Sequence, residues 1–161
     1  MSGPGSYADA LQGRLDGSGL RIAILCARFH EEITGALLER CTTTLEAHGV
    51  EGESIRVLRV PGAWELPQAA GRLAGLERYD AIVAIGCVIR GETPHFDFVA
   101  GEAARGLTDV SLAYDVPVIL GVLTTETEQQ ALDRARQDGQ DKGRELALAA
   151  LEMGLLFREL T

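Results

Sequence analysis

Cysteine, positive charge, aromatic rings and long apolar runs are all scarce in this chain, and each shortage closes off a class of function. Cys26, Cys41 and Cys87 are its three cysteines. None belongs to a C-x-x-C pair and two lie inside apolar runs, which argues against a disulfide framework or a zinc site and leads us to expect reduced thiols, no metal and a cytoplasmic protein. Fifteen Lys and Arg against twenty-four Asp and Glu leave a formal charge of −9. Such a surface does not suit nucleic acid or an anionic membrane, so any phosphate must be met locally. The chain opens without a basic segment followed by an apolar one, and no apolar stretch approaches the roughly 18 residues a bilayer requires, so we expect neither export nor a membrane span. Glycine-rich nucleotide loops are missing as well. No G-x-G-x-x-G follows the first strand, because Gly17-Ser18-Gly19 precedes it, and no G-x-x-x-x-G-K-[ST] occurs; Rossmann-type NAD binding and P-loop chemistry lose support.

What the chain has is a steady alternation of two patterns. Its 161 residues, 46% hydrophobic, suffice for one domain with a substantial core. Residues 1–19 are Gly- and Ser-rich, with Tyr7, Leu11 and Leu15 as their few large apolar side chains, and read as a flexible N-terminal arm; residues 20–161 read as one domain. Strands are expected at Leu20 to Ala27, Ser54 to Val60, Ala81 to Ile89 and Val116 to Leu123. Between and after them helices are expected from Glu31 to His48, closed by Gly49, from Glu65 to Leu76, from Pro94 to Ala113, from a Thr125-x-x-Glu128 capping box to about Gly139, and from Asp141 to Glu159. This order predicts a parallel four-stranded sheet with helices on both faces, whose ligands sit beyond the carboxyl ends of the strands.

The polar clusters all fall on that rim. The segment Arg90 to Phe98 follows the most apolar strand, and Thr93 as N-cap with Pro94 at the first helical position would begin a helix whose free N–H groups favour an anion. His95 beside it can accept or donate a proton near neutrality, or can simply face solvent. Asp97 could orient an imidazole, but a first-turn acid complements the helix dipole, and that is the reading we favour. Phe29, Trp64, Phe96 and Phe98 stand out in a chain with only 5% aromatics. They could stack on a planar heterocycle, although burial in the core is the commoner role. Glu65 could accept hydrogen bonds from substrate hydroxyls or merely suit a helix start. Arg134 and Lys142 could reach a phosphate or remain solvated charges. Cys26 with His30 does not make a metal pair, because a strand-to-helix junction lacks helical i,i+4 geometry, and His48 suits a helix C-terminus.

Taken together, Ala27-Arg28-Phe29, Pro61-Gly62-Ala63-Trp64-Glu65-Leu66-Pro67, Gly86-Cys87-Val88-Ile89-Arg90-Gly91, Thr93-Pro94-His95-Phe96-Asp97-Phe98-Val99 and Gly121-Val122-Leu123-Thr124-Thr125-Glu126 resemble the 6,7-dimethyl-8-ribityllumazine synthase family of riboflavin biosynthesis. The likeness runs from about Leu11 to Phe157 without an internal gap. It implies a flavodoxin-like three-layer α/β/α sandwich, a homopentamer with active sites between subunits, and no cofactor. The implied reaction condenses 5-amino-6-(D-ribitylamino)uracil with 3,4-dihydroxy-2-butanone 4-phosphate, releasing phosphate and water. By matching positions, the resemblance implies that Phe29 stacks on the pyrimidine, that Ala63, Trp64 and Glu65 line the ribityl site, and that Cys87, Val88 and Ile89 border the ring. It further implies that Leu120 of a neighbour closes the pocket, that Glu92 and Thr93 bind phosphate together with a neighbour's Arg134 and with Lys142 nearby, and that His95 is the general acid/base. Arg90, the obvious phosphate ligand by position, loses that role.

Trp64 stands where the family commonly has Phe, Leu120 where Phe is frequent, Cys87 where Thr or Ser is common, and His30 where Asn is frequent. A weakly catalytic lumazine- or flavin-binding shell is therefore a competing reading, with Phe29, Glu65, Thr93, His95 and Arg134 weighing against it. A flavodoxin-like electron carrier is disfavoured because Ala27-Arg28-Phe29-His30 replaces a Ser/Thr-rich phosphate loop. The short Gln137 to Asp141 turn, which lacks the insertion seen in pentamer-only members, leads us to expect an icosahedral shell of twelve pentamers, with the N-terminal arm adding a strand to a neighbour's sheet.

Overall fold

Strands that are apolar on both faces need cover on both sides, and the computed structural model, which describes residues 15–161, supplies it. Strands β1 (Ile22–Ala27), β2 (Ile55–Val60), β3 (Ala81–Ile89) and β4 (Val118–Thr125) form one parallel sheet in the order β2-β1-β3-β4. Five helices follow the strands: α1 (Glu31–Ala47), α2 (Leu66–Ala74), α3 (His95–Tyr114), α4 (Glu128–Ala135) and α5 (Lys142–Glu159). The two-residue period of β1 sorts its side chains. Ile22, Ile24 and Cys26 pack with Leu37 and Cys41 of α1, Ala131 of α4 and Leu146 and Leu151 of α5. Ala23, Leu25 and Ala27 pack with Leu66 and Ala70 of α2 and Leu107 of α3. The result is a three-layer, flavodoxin-like α/β/α sandwich with one core on each side of the sheet.

Helix ends depart from the sequence reading in informative places. The capping box is Thr127-x-x-Gln130, two residues later than expected: Gln130 N–H donates to Thr127 Oγ1 at 3.1 Å, and Thr127 N–H donates to Gln130 Oε1 at 3.3 Å. Thr125 is unavailable as a cap because it is the last residue of β4, paired with Ile89 and buried. Helix α4 then stops at Ala135, short of Gly139, and Asp141 lies outside α5 in the left-handed region at φ 49°. There its carboxylate accepts two hydrogen bonds from Arg40 of α1, at 2.8 and 2.9 Å. Helix α3 begins at His95, with Pro94 in the N-cap position in place of Thr93. Thr93 Oγ1 lies 3.4 Å from the His95 N–H, two residues on, so it makes a weak local turn and no side chain caps the helix. Gly49 closes α1 as expected, with φ 94° and Val50 N–H donating to Leu45 O at 3.1 Å.

Of the expected arm, Tyr7 and Leu11 lie outside the described residues. Leu15 packs against the first core, and Gly17 N–H donates to His48 O at 2.7 Å. No helix among the described residues is long and apolar enough to cross a membrane.

Helices α1 and α5 cross closely at Gly143, where an added Cβ would lie 2.5 Å from Leu37 O and 2.7 Å from Arg40 Cβ. At Gly154, farther along α5, the nearest atoms are 3.6 Å away. Gly143→Ala is expected to lower unfolding stability by about 1–3 kcal/mol through overpacking. Gly154→Ala should instead be neutral or raise it by up to about 1 kcal/mol, because alanine loses less entropy than glycine in a helix. Denaturant midpoints of the two variants check this, and equal losses would refute the close-crossing account.

Candidate functional site

At the carboxyl rim of the sheet, the loops after β1 and β2 are stitched together. Arg28 N–H donates to Val60 O at 2.8 Å and Phe29 N–H to Pro61 O at 3.1 Å. His30 then takes φ 61° and ψ 54°, an uncommon conformation for a residue other than glycine, and its carbonyl accepts from Ile33 and Thr34 N–H as α1 starts. This sharp turn holds Phe29 outward, 67% exposed, with the His30 ring edge-on to it at a centroid distance of 4.6 Å. After β2, Pro61-Gly62 breaks the strand and a single 3₁₀ turn, Ala63–Glu65, carries Trp64 into the open. After β3, the exposed segment Gly91 to Pro94 leads into α3, whose first turn bears His95, Phe96 and Phe98.

These three loops enclose a cleft of about 870 Å³. It is lined by Phe29, Ala63, Trp64 and Glu65, by Cys87, Val88 and Ile89 at the end of β3, and by Thr93 and His95. His30, Pro61, Gly62, Gly91, Phe96, Phe98 and Val99 complete the wall. Gly91 and Val99 stood in the motifs but were given no role there; Gly91 lies two residues from both Ile89 and Thr93, Val99 follows Phe98, and only the folded surface distinguishes them. Glu92 is exposed on the same segment but does not line the cleft. Leu120 stands exposed on the edge strand β4, Arg134 donates to Gln130 O at 3.1 Å in the last turn of α4, and Lys142 pairs with Glu145 at 2.8 Å in the first turn of α5. None of these three lines this cleft of a single chain.

The expected core burial of the aromatics is corrected for three of the four. Phe29, Trp64 and Phe98 are more than half exposed, and only Phe96 packs against the second core. The backbone explains it: these rings sit on turns and on a helix start beyond the sheet, where no layer covers them. Flat apolar surface at a concave site suits a planar, partly apolar ligand.

The cleft's electrostatics are one-sided. Among the described residues its lining contains no lysine or arginine. The Glu65 carboxylate has one oxygen, Oε2, that is buried and without a hydrogen-bond partner. A buried acceptor left unpaired costs on the order of 1–3 kcal/mol, which a ligand hydroxyl would relieve. Arg90 points elsewhere and is engaged by Glu126 and Asp97. No group of three or more His, Cys, Asp or Glu able to hold a metal occurs among the described residues. The arrangement can stack a ring, accept hydrogen bonds from a polyol and exchange a proton at His95; among the described residues no lysine or arginine lines it to meet a phosphate.

The description 6,7-dimethyl-8-ribityllumazine synthase belongs to a family model that matches residues 19–158. A protein of Gemmatimonas aurantiaca with that same name is 53% identical over 145 residues, a match spanning 90% of this chain and 88% of that relative.

Cys87 tests how closed the floor of the cleft is. It is a free, buried thiol, and burial, with a smaller push from Glu128, raises its pKa from 9.0 to about 11. Only the thiolate reacts, so at pH 8 this side chain should react roughly tenfold more slowly with a small maleimide than an unfolded thiol, after allowing for its greater intrinsic nucleophilicity. The rate should climb up to about pH 11. Mass-resolved labelling of the native protein checks this, and fast reaction at pH 8 would show the thiol to be solvated. The same raised pKa opposes stability at high pH: above 9 the unfolded thiol loses its proton while the folded one keeps it, so its contribution falls as pH rises.

Proposed function

The chain belongs to the 6,7-dimethyl-8-ribityllumazine synthase family, transferases of riboflavin biosynthesis, and on that footing we propose that the rim cleft is one half of its active site, completed by a neighbouring subunit. The reaction joins 5-amino-6-(D-ribitylamino)uracil to 3,4-dihydroxy-2-butanone 4-phosphate and expels phosphate and water. In the proposed arrangement Phe29 stacks on the pyrimidine and Cys87, Val88 and Ile89 border it, while Ala63, Trp64 and Glu65 receive the ribityl chain. Glu65 Oε2 accepts from its hydroxyls. Glu92 and Thr93, in the segment that leads into α3, bind the phosphate beside the positive end of the helix. A neighbour's Arg134 neutralises it, Lys142 adds charge nearby, and a neighbour's Leu120 covers the ring.

His95 is the general acid/base of this scheme, serving Schiff-base formation, phosphate loss and ring closure without a cofactor. Holding an amine and a ketone in near-attack geometry is worth roughly 7–11 kcal/mol, whereas one proton-transfer residue contributes about 10²–10⁴-fold. Positioning therefore supplies most of the acceleration. The observation that carries the two-subunit reading is the cleft itself, apolar and hydrogen-bond-accepting yet, among the described residues, without a lysine or arginine for an anionic substrate.

We place the assembly as a homopentamer, twelve of which build an icosahedral shell in the cytoplasm. The outer edge of β2 has no paired strand among the described residues, and a neighbour's N-terminal arm would cover it. The turn between α4 and α5, residues 136–141, lacks the insertion of pentamer-only members, which favours the shell.

Purified protein given both substrates should produce lumazine fluorescence and inorganic phosphate together. No product above the spontaneous rate would instead favour a binding shell without catalysis. His95→Ala is expected to lower kcat within about 10²–10⁴-fold and not to abolish turnover; unchanged kcat would remove His95 from the mechanism. Sedimentation in mild buffer should give a particle of sixty chains, and a particle of pentamer mass would overturn the shell.

A further inference from the structure

The catalytic histidine of the proposed scheme sits on a helix start that lacks the usual support. No side chain caps α3, the Thr93 contact to the His95 N–H is long at 3.4 Å, and the Gly91 to Pro94 segment before it is exposed. Phe96 and Val99 pack below against the second core, but they do not fix the polar side of the turn. Arg90 does. Its backbone is anchored by N–H donation to Thr125 O at 2.8 Å, one step past the last β3–β4 pair, so its Cα moves with the sheet. From there the side chain reaches in three directions. Nε donates to Glu126 at 3.0 Å, beyond the end of β4; Nη2 donates to Asp97 at 3.4 Å, in the first turn of α3; and the guanidinium carbon lies 4.3 Å from the Phe96 ring centroid.

An arginine next to a helix N-terminus is electrostatically out of place unless acids offset it. Here Asp97 and Glu126 do so, and a planar fork that pairs and stacks at once is something lysine cannot supply. Both α3 contacts matter: Phe96 follows His95 directly and Asp97 lies two residues on in the same helical turn, so the same grip that seats them orients the imidazole.

We infer that Arg90 is a positioning residue, a clamp that ties the ends of β3 and β4 to the first turn of α3 and thereby sets where His95 stands over the bound substrates. It contacts no substrate itself. This inference rests on His95 as the proton carrier.

Steady-state kinetics of the full-length Arg90→Lys protein test it. Lysine keeps the positive charge near the phosphate site but loses the fork and the stacking plane. Displacing a reacting group by about an ångström can cost about 10²-fold, so kcat should fall roughly tenfold or more, while KM for each substrate stays within about threefold. Titration of the chain's single tryptophan, Trp64 at the cleft, should show unchanged binding of the ribityl substrate. In a His95→Ala background the same substitution should cost nothing further, because residues acting as a unit are not additive. Asp97→Asn, on a 63% exposed side chain, removes one arm with little risk to folding and should lower kcat about threefold in the parent alone. Raised KM at unchanged kcat would make Arg90 a substrate ligand. Full activity of Arg90→Lys, or an equal loss in the His95→Ala background, would overturn the clamp. Full activity of His95→Ala would instead sink the reading of His95.

Discussion

Every functional feature of this chain depends on β1 pairing in parallel with both β2 and β3. Ile22 meets Ile55 on one side and Ala81 on the other, and the register holds to Cys26 opposite Arg59 and Ile85. Parallel pairing forces each connection to cross over the sheet, and the common right-handed sense sends α1 across one face and α2 across the other. The chain therefore parts in opposite directions at the carboxyl end of β1, and the loops after β1, β2 and β3 surround the gap. That gap is the cleft, and its position follows from topology before any side chain is considered.

Side chains then decide what the gap can bind. The strand ends contribute a buried floor of Cys87 and Val88, and the turns contribute exposed rings at Phe29 and Trp64 because residues beyond the sheet have no layer above them. Among the described residues Glu65 is the one acid in the lining, and its Oε2 is buried without a hydrogen-bond partner. A site that offers rings, one unpaired acceptor and an imidazole, with no lysine or arginine in its wall among the described residues, is suited to a polar heterocycle. Arg90, at the end of β3, is already held between two carboxylates.

Much of the fold was legible in the residues. Four β-branched apolar runs alternating with amphipathic stretches gave the strands, the helices and the parallel sheet, because period and burial are written directly in the sequence. Helix starts were less legible. Thr125-x-x-Glu128 and Thr127-x-x-Gln130 are equally good capping boxes on paper, and strand pairing with Ile89 removed the first by burying Thr125. The start of α3 also shifted by one residue: Pro94 takes the N-cap position expected of Thr93, whose oxygen makes only a long 3.4 Å contact to the His95 N–H. Taken without the resemblance, core burial was the favoured reading of the aromatics, and it failed for Phe29, Trp64 and Phe98 because composition says how few rings there are and nothing about which layer covers them.

The sequence by itself determined the class of fold, the rim on which chemistry sits, and through the order of its motifs the family; these are properties of short windows, where each residue's preference is nearly independent of distant ones. Tertiary structure decided which of those residues face one another. That Arg90 grips Glu126 and Asp97 instead of facing the cleft, and that Leu120, Arg134 and Lys142 lie away from it, depends on how β4 is laid beside β3. A contact between residues tens of positions apart is a sum over the whole packed sheet, and no local pattern carries it.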